Sequence, residues 1–282
     1  VDFFHRGGLI LASAGLENRT VLRVAGDDAE HFLQNLLTCD VEVLKTGEAT
    51  FGGLLTPQGK ILFDFVIFQE EGGFLVDVSS TQAADLLKRL AFYRLRAAVT
   101  LEQTDLPVSV AWDGEDLTDA FPDPRGGDVV RAFTRVETMG DWTAKRIALG
   151  WPECGADYAP ETTFPHEALF DQFSGGGVAF EKGCYVGQEV VSRMQHRGTA
   201  RSRFVQMKGD SDLPEMCTEV LAADRKIGTL GSSAGSSGLA LVRLDRLAKA
   251  KAEGTPVTAA GIALSADLPP FVTFNWPDAQ DG

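Results

Sequence analysis

"FGGLLTPQGKILFDFVIFQEEGGFLVDVSS", Phe51 to Ser80, is the stretch that decides the fold class. It holds three runs rich in β-forming residues, divided by two groups of turn residues. Pro57-Gln58-Gly59 supplies one turn and Glu71-Gly72-Gly73 the next, which predicts a β-meander. In the strand Ile61 to Phe68, alternation puts Asp64 on one face with Leu62 and Val66. A carboxylate among apolar strand neighbours is costly unless it is paired or meets a ligand, so Asp64 is a candidate binding residue. A strand Asp facing solvent at the sheet edge is the alternative.

Upstream, "TVLRVAGDDAEHFLQNLLTCDV" reads as strand, turn and helix. Gly26 turns the chain and Asp27 can cap the helix, with Glu30 three residues on. Ala29, Phe32, Leu33, Leu36 and Leu37 follow helical spacing and make one apolar face, beside which His31 reads as a structural histidine. Downstream, "SSTQAADLLKRLAFYRL" is a second helix with Leu86, Leu87 and Leu90 inward, and "AAVTLEQ" and "VSVAW" resume as strands. Strand-helix-strand-strand-helix-strand order indicates an α+β unit of split-βαβ type.

Residues 114–128 are polar and rich in Pro and Gly, and predict a loop; so does "GWPECGADYAPETTFPHE". Pro165 suits the first turn of a helix through "HEALFDQF", which "SGGG" would end. Beyond Gly198 the pattern changes to short strands, the signature of a small barrel or sandwich. "GSSAGSSG" is flexible in composition but lies between strand-like runs, and predicts a hairpin loop. The resulting division has α+β ligand-binding domains from 1–45 with 105–198, a meander and helix part of the α+β unit at 46–104, and a C-terminal β-barrel at 199–282.

The net charge of -14 disfavours a nucleic-acid partner or adsorption to anionic membranes. No run is apolar for long enough to span a bilayer, and "VDFFHRGGLI" lacks the pattern of a secretory signal. Cys39, Cys154, Cys184 and Cys217 are scattered without metal-ligand spacing, which predicts reduced thiols in a cytoplasmic protein and no metal site.

"FEKGCYVGQEVVSRMQHRG", Phe180 to Gly198, concentrates chemistry. Val186, Val190, Val191 and Met194 can form the apolar side of a helix; if it starts near Tyr185, Cys184 lies at its N-terminus. Free N–H groups, the helix dipole and Lys182 would there favour a thiolate, and the flanking glycines would admit a ligand. A tight structural corner with a buried thiol is the other reading. Glu189 and Arg193 have the spacing of a helix-surface pair. Lys182, Arg193, His196, Arg197, Arg201 and Arg203 form either a solvated surface or an anion site.

"KGCYVGQE", Lys182 to Glu189, resembles the signature of the YgfZ-type folate-binding proteins, relatives of the glycine cleavage T-protein, an aminomethyltransferase. Supporting matches are "FLQNLLTCDV", "LLTPQGKILFDFVIF", "RIALGWPECGADY", "PHEALFD" and "ADRKIGTLGSSA". The resemblance implies a three-domain ring around a folate pocket, built from ferredoxin-like α+β units and a C-terminal β-barrel. It implies a tetrahydrofolate-dependent role in iron–sulfur cluster assembly or repair, with client proteins that include enzymes of tRNA thiolation. Cys184 is the functional thiol so implied. Tetrahydrofolate, or a one-carbon derivative, would be held by Asp64, Arg146, Lys182, Gly183, Tyr185, Gly187, Gln188, Glu189 and Arg193. Against the T-protein pattern, Phe63 replaces one acid while Asp64 remains, and Ala148 stands in place of a pterin-contacting acid. These departures weigh against the alternative of a folate-dependent aminomethyl or other one-carbon transferase, and favour an accessory factor.

Overall fold

The computed structural model describes residues 12–198 and 200–277. The N-terminal stretch discussed above lies outside them, and so does the side chain of Arg197. The first half of the chain supplies β1 (Ala12–Gly15), β2 (Arg19–Ala25), α1 (Ala29–Gln34), β3 (Ala49–Leu55), β4 (Ile61–Glu70), β5 (Gly73–Ser79), α2 (Ala83–Arg94) and β6 (Thr100–Gln103). Then follow β7 (Ser109–Trp112), β8 (Phe121–Pro122), β9 (Val129–Ala132), α3 (Trp142–Leu149) and α4 (Gln188–Arg197). The C-terminal part holds β10 (Ser202–Gly209), β11 (Glu219–Ala222), β12 (Arg225–Ala234), β13 (Ser237–Arg243), α5 (Leu244–Glu253), β14 (Val257–Ala259) and β15 (Ile262–Asp267).

The meander forms as its turns require, and β3, β4 and β5 pair antiparallel in sequence. They extend into a five-stranded sheet of order β3-β4-β5-β2-β6. β2, from the 1–45 segment, is therefore hydrogen-bonded inside the sheet of the 46–104 segment. "VSVAW" departs from the split-βαβ reading: it is β7, and it joins a separate four-stranded sheet of order β1-β7-β9-β8. Three strands, rather than two, separate α1 from α2.

One face of the five-stranded sheet carries α1 and α2. Phe32, Leu33 and Leu37 pack there with Leu86, Leu90, Phe63 and Phe65. The opposite face carries Phe51, Leu55, Ile61 and Val66, which meet Trp112, Val129, Trp151, Phe170 and Phe204 in a second core. Phe51 is fixed edge-on between Phe170 and Phe173, at centroid distances of 4.9 and 5.2 Å. Each ring buried in this way stabilises the fold by about 1.5–3 kcal/mol.

The alternation expected for Asp64 is corrected by a bulge. Leu54 faces Phe63 and Leu55 faces Ile61, so Leu62 is left without a cross-strand partner. Leu62 turns into the α-helical side of the core, whereas Ile61 and Val66 line the opposite core with Tyr158 and Cys154. Asp64 is 1% exposed, which removes the solvent-facing alternative.

"HEALFDQF" is a series of turns rather than a helix. Phe170 N–H reaches Pro165 O and Ala168 N–H reaches Phe164 O, but Leu169 adopts φ 66°, a left-handed conformation that stops helical propagation. After α4 the short strands close into a barrel of order β10-β13-β12-β11-β14-β15. "GSSAGSSG" is a strand-ending hairpin: Ala234 pairs with Ser237 around Gly235, whose φ of 57° suits a two-residue turn. The fold is thus α+β with a C-terminal six-stranded barrel, as expected.

Candidate functional site

The motif segment begins as an open coil. Gly183 would have nothing within 4 Å of an added Cβ, and the Cys184 thiol is exposed. Tyr185 turns inward and is buried with Leu55, Ile61 and Val191. Gly187 then takes φ 81° and caps α4. An added Cβ there would stand 2.6 Å from Thr56 O, so the chain must bend around the Thr56–Lys60 turn before a helix can begin. This corrects the expected helix start near Tyr185: the first helical residue is Gln188, and the sulfur precedes the capping glycine by three residues. The free N–H groups of the helix start are offset from it accordingly.

Lys182 is also placed differently from the sequence expectation. Its ammonium donates to Leu37 O at 2.9 Å and to Cys39 O at 2.6 Å, tying the motif to the segment after α1. Burial lowers its pKa from the ordinary lysine value. Glu189 and Arg193 pair with each other at 2.5 Å on the exposed side of α4, as a surface pair would. Tyr185 stands out because its hydroxyl is buried and has no hydrogen-bond partner among the described residues. Burial raises its pKa above the usual phenol range.

Asp64 belongs to a second constellation. Its Oδ2 accepts from the Cys154 backbone N–H at 2.7 Å and from the Tyr158 hydroxyl at 2.8 Å. Burial and the nearby Glu153 charge raise its pKa above the ordinary carboxylate value, against those two donors and Arg19. Next to it runs a chain of buried ion pairs. Asp77 on β5 accepts from Arg19 at 2.7 Å and from Arg131 on β9. Arg131 also donates to Asp123, which binds Arg125 at 2.9 Å, and Arg125 reaches Glu153 at 2.9 Å. Arg146 closes the series on Asp157 at 2.5 Å, on Trp151 O and on Ser232 of the barrel at 2.6 Å.

Burial opposes the charge on Asp123, but Arg125 and Arg131 outweigh it and hold its pKa well below the carboxylate range. Burial likewise opposes the charge on Glu153, yet Arg146, Arg125 and Arg19 pull it down to about 2. Arg146, expected at a folate, is therefore fully engaged by protein. Asp123 and Arg125, expected in a polar loop, are buried. The sequence reading missed Tyr158, Glu153, Asp157 and the Arg19–Asp77–Arg131 series. Asp77 within the apolar run "FLVDV" was the available signal.

Among the described residues, no hydrogen bond joins the Cys184 loop to Asp64 or Arg146. The loop unites Lys182, Gly183, Cys184, Tyr185 and Gly187, and hands the chain to Gln188, Glu189 and Arg193 on α4. Cys39 and Cys154 are sealed: burial pushes Cys39 to about 12, and burial with the Asp64 charge pushes Cys154 further. Cys217 shares the exposure of Cys184 but lies in the barrel. No group of three His, Cys, Asp or Glu side chains among the described residues could hold a metal ion, and no described helix is long and apolar enough to cross a membrane.

The six-stranded barrel has a match among known domain families. Residues 201–274 match the CAF17 C-terminal β-barrel domain. Over 229 residues the chain is 31% identical to the mitochondrial iron–sulfur cluster assembly factor IBA57 homolog of Neurospora crassa. That alignment covers 67% of this chain and 52% of the fungal protein, so the chain spans about half the length of that relative. It is 28% identical to the mitochondrial iron–sulfur cluster assembly factor IBA57 of Homo sapiens, over 96% of this chain and 86% of that protein. The crystal structure of the glycine cleavage system aminomethyltransferase T from Bartonella henselae superposes with a TM-score of 0.73 at 18% identity, covering 94% of this chain and 87% of the other. That likeness is one of fold alone. The chain is thus related to the CAF17/IBA57 proteins and is built on an aminomethyltransferase-type fold. The expectation of a cytoplasmic protein is overturned, since both CAF17/IBA57 relatives are named mitochondrial.

Proposed function

We propose that the chain is an iron–sulfur cluster assembly or repair factor whose working thiol is Cys184 and whose cofactor is tetrahydrofolate or a one-carbon derivative of it. The observation that carries this reading is the contrast among the cysteines. In the signature "KGCYVGQE" the sulfur stands exposed between an open glycine and a buried tyrosine, while Cys39 and Cys154 are sealed and the other exposed thiol, Cys217, lies in the barrel outside the signature. An exposed thiol can make the transient contact with a cluster, a sulfur donor or a folate-borne carbon that such a role requires. Relatives named as iron–sulfur cluster assembly factors support the same class of work, and its partners would be iron–sulfur client or assembly proteins.

The chemistry of two buried groups suits a folate, which would reach each only as the packing around it opens, since Asp64 is 1% exposed and the Tyr185 hydroxyl is buried. The Asp64 carboxylate has one oxygen engaged by Cys154 and Tyr158, and its Oδ1 has no hydrogen bond among the described residues, which suits the ring N–H and amino donors of a pterin. Tyr185 offers a buried hydroxyl without a partner. Arg146 and Lys182, engaged by protein oxygens, hold the surrounding elements in position. The bound folate would supply a carrier for a one-carbon unit.

Tetrahydrofolate titration of the wild type, Asp64→Asn and Cys184→Ala tests the reading, alongside the activity of iron–sulfur enzymes in cells carrying each variant. The reading expects weakened binding in Asp64→Asn only, and loss of cellular enzyme activity in Cys184→Ala. Folate-dependent methylamine turnover that survives Cys184→Ala would point to a transferase instead.

A further inference from the structure

A second surface, on α2 and the turn after it, is locally cationic on a molecule of negative net charge. Lys88, Arg89, Arg94 and Arg96 fall within nine residues, and no Asp or Glu occurs between Leu86 and Leu101, in a chain of net charge -14. All four cations are exposed, and none forms a salt bridge among the described residues. Two of the most exposed large apolar side chains stand among them: Phe92 at 72% and Leu95 at 88%. Leu95 is held at φ 47°, a backbone conformation that non-glycine residues rarely adopt, at the end of the helix.

Beside these residues lies a cleft of about 430 Å³ between α2 and the Pro160–Glu161 turn, floored by Leu62 and Phe63, with Lys88 and Arg89 on its wall and the acids Asp85 and Glu161 at its edge. Gln82, the residue just before the helix, also lines it. This residue is 7% exposed; its amide nitrogen donates to Cys154 Sγ at 3.2 Å, and its carbonyl oxygen has no partner. A buried amide oxygen without a donor costs free energy that a bound N–H group would recover.

We propose that this face docks an acidic segment of a partner protein. The segment sets carboxylates against Lys88, Arg89, Arg94 and Arg96, an apolar side chain against Phe92 and the cleft floor, and a backbone N–H toward Gln82. Charge complementarity selects this occupant. The net charge of the molecule opposes approach to an extended anionic membrane and to a second copy of itself, whereas a local cationic patch steers a short acidic chain. The inference is independent of the roles assigned to Cys184 and folate.

The test uses the full chain and a short fluorescent peptide of alternating Glu and Leu, read by anisotropy, with Lys-Leu and Glu-Ser peptides as controls. The Glu-Leu peptide is expected to bind and to weaken at raised ionic strength. Binding should fall by about tenfold or more in Lys88→Glu/Arg96→Glu and in Phe92→Ser/Leu95→Ser. Protection of Lys88 from acetylation by the same peptide on wild-type protein decides the matter if a variant does not fold. Equal binding by the variants, or no binding and no protection, overturns the proposal. So does tighter binding to phosphatidylserine vesicles, or a dimer in sedimentation that the variants dissociate.

Discussion

The Tyr158 hydroxyl donates to Asp64 Oδ2 at 2.8 Å across 94 residues of sequence, in a site that admits almost no solvent. A buried carboxylate with a raised pKa is sensitive to each donor it keeps. Tyr158→Phe is expected to lower stability by about 1–3 kcal/mol, measured by urea denaturation. A variant as stable as the wild type would show that this contact contributes nothing.

The native protein should present two thiols of four to an alkylating reagent. Cys184 and Cys217 are expected to label in the folded state, and Cys39 and Cys154 only after unfolding. Mass spectrometry of peptides from native and urea-treated samples reads this directly. The functional proposal adds that Cys184 labels first, and prior labelling of Cys217 counts against it.

Breaking the buried ion series at one member leaves its neighbours charged and unpaired. Asp77 is fully buried between Arg19 and Arg131. Asp77→Asn should therefore cost about 3–5 kcal/mol, visible as a lowered melting temperature. The exposed Glu189–Arg193 pair provides the contrast, since Glu189→Gln should change stability by less than about 1 kcal/mol.

Acid should undo part of the fold in a defined range. The folded-state pKa of Glu153 is depressed from 4.5 to about 2, so its contribution is present above 4.5 and lost as pH falls toward 2. Asp123 acts in the same direction. Asp64 has the opposite sign: its pKa is raised, so its contribution is present at low pH and lost as pH rises through the raised value. The urea midpoint measured against pH should fall below 4.5, and Glu153→Gln should flatten that slope.

The two glycines on either side of Cys184 differ in what they permit. Gly187→Ala places a Cβ 2.6 Å from Thr56 O at a left-handed φ, and should destabilise by about 1 kcal/mol or more. Gly183→Ala meets open space and should leave the thermal transition unchanged. Paired melting curves read the difference.

The meander and the barrel were legible in the sequence because their signals are local. Turn residues and β-forming runs sit within a few positions of each other, as at Pro57–Gly59 and at Gly235. The helix forecast at "HEALFDQF" failed because the contacts holding that segment come from elsewhere: Phe51 on β3 packs against Phe170, and Leu169 adopts a left-handed turn. The ten-residue α5 was visible in the spacing of Leu244, Leu247, Ala248 and Ala250, yet short alternating strands on either side drew the reading away from it. At the motif, residue identities were readable but their orientation was not. Lys182 looks toward Cys39 because two carbonyls lie there, supplied by a segment 143 residues earlier.

Ser232 gives the barrel a say in the electrostatics of the units before it. Its N–H and hydroxyl both serve Asp157, at 2.9 and 2.6 Å, and Arg146 reaches the same hydroxyl. The C-terminal module is consequently not an interchangeable appendage. A chimera carrying a foreign barrel would keep the neighbouring charges compensated only if the incoming strand brought an equivalent hydroxyl to that one position.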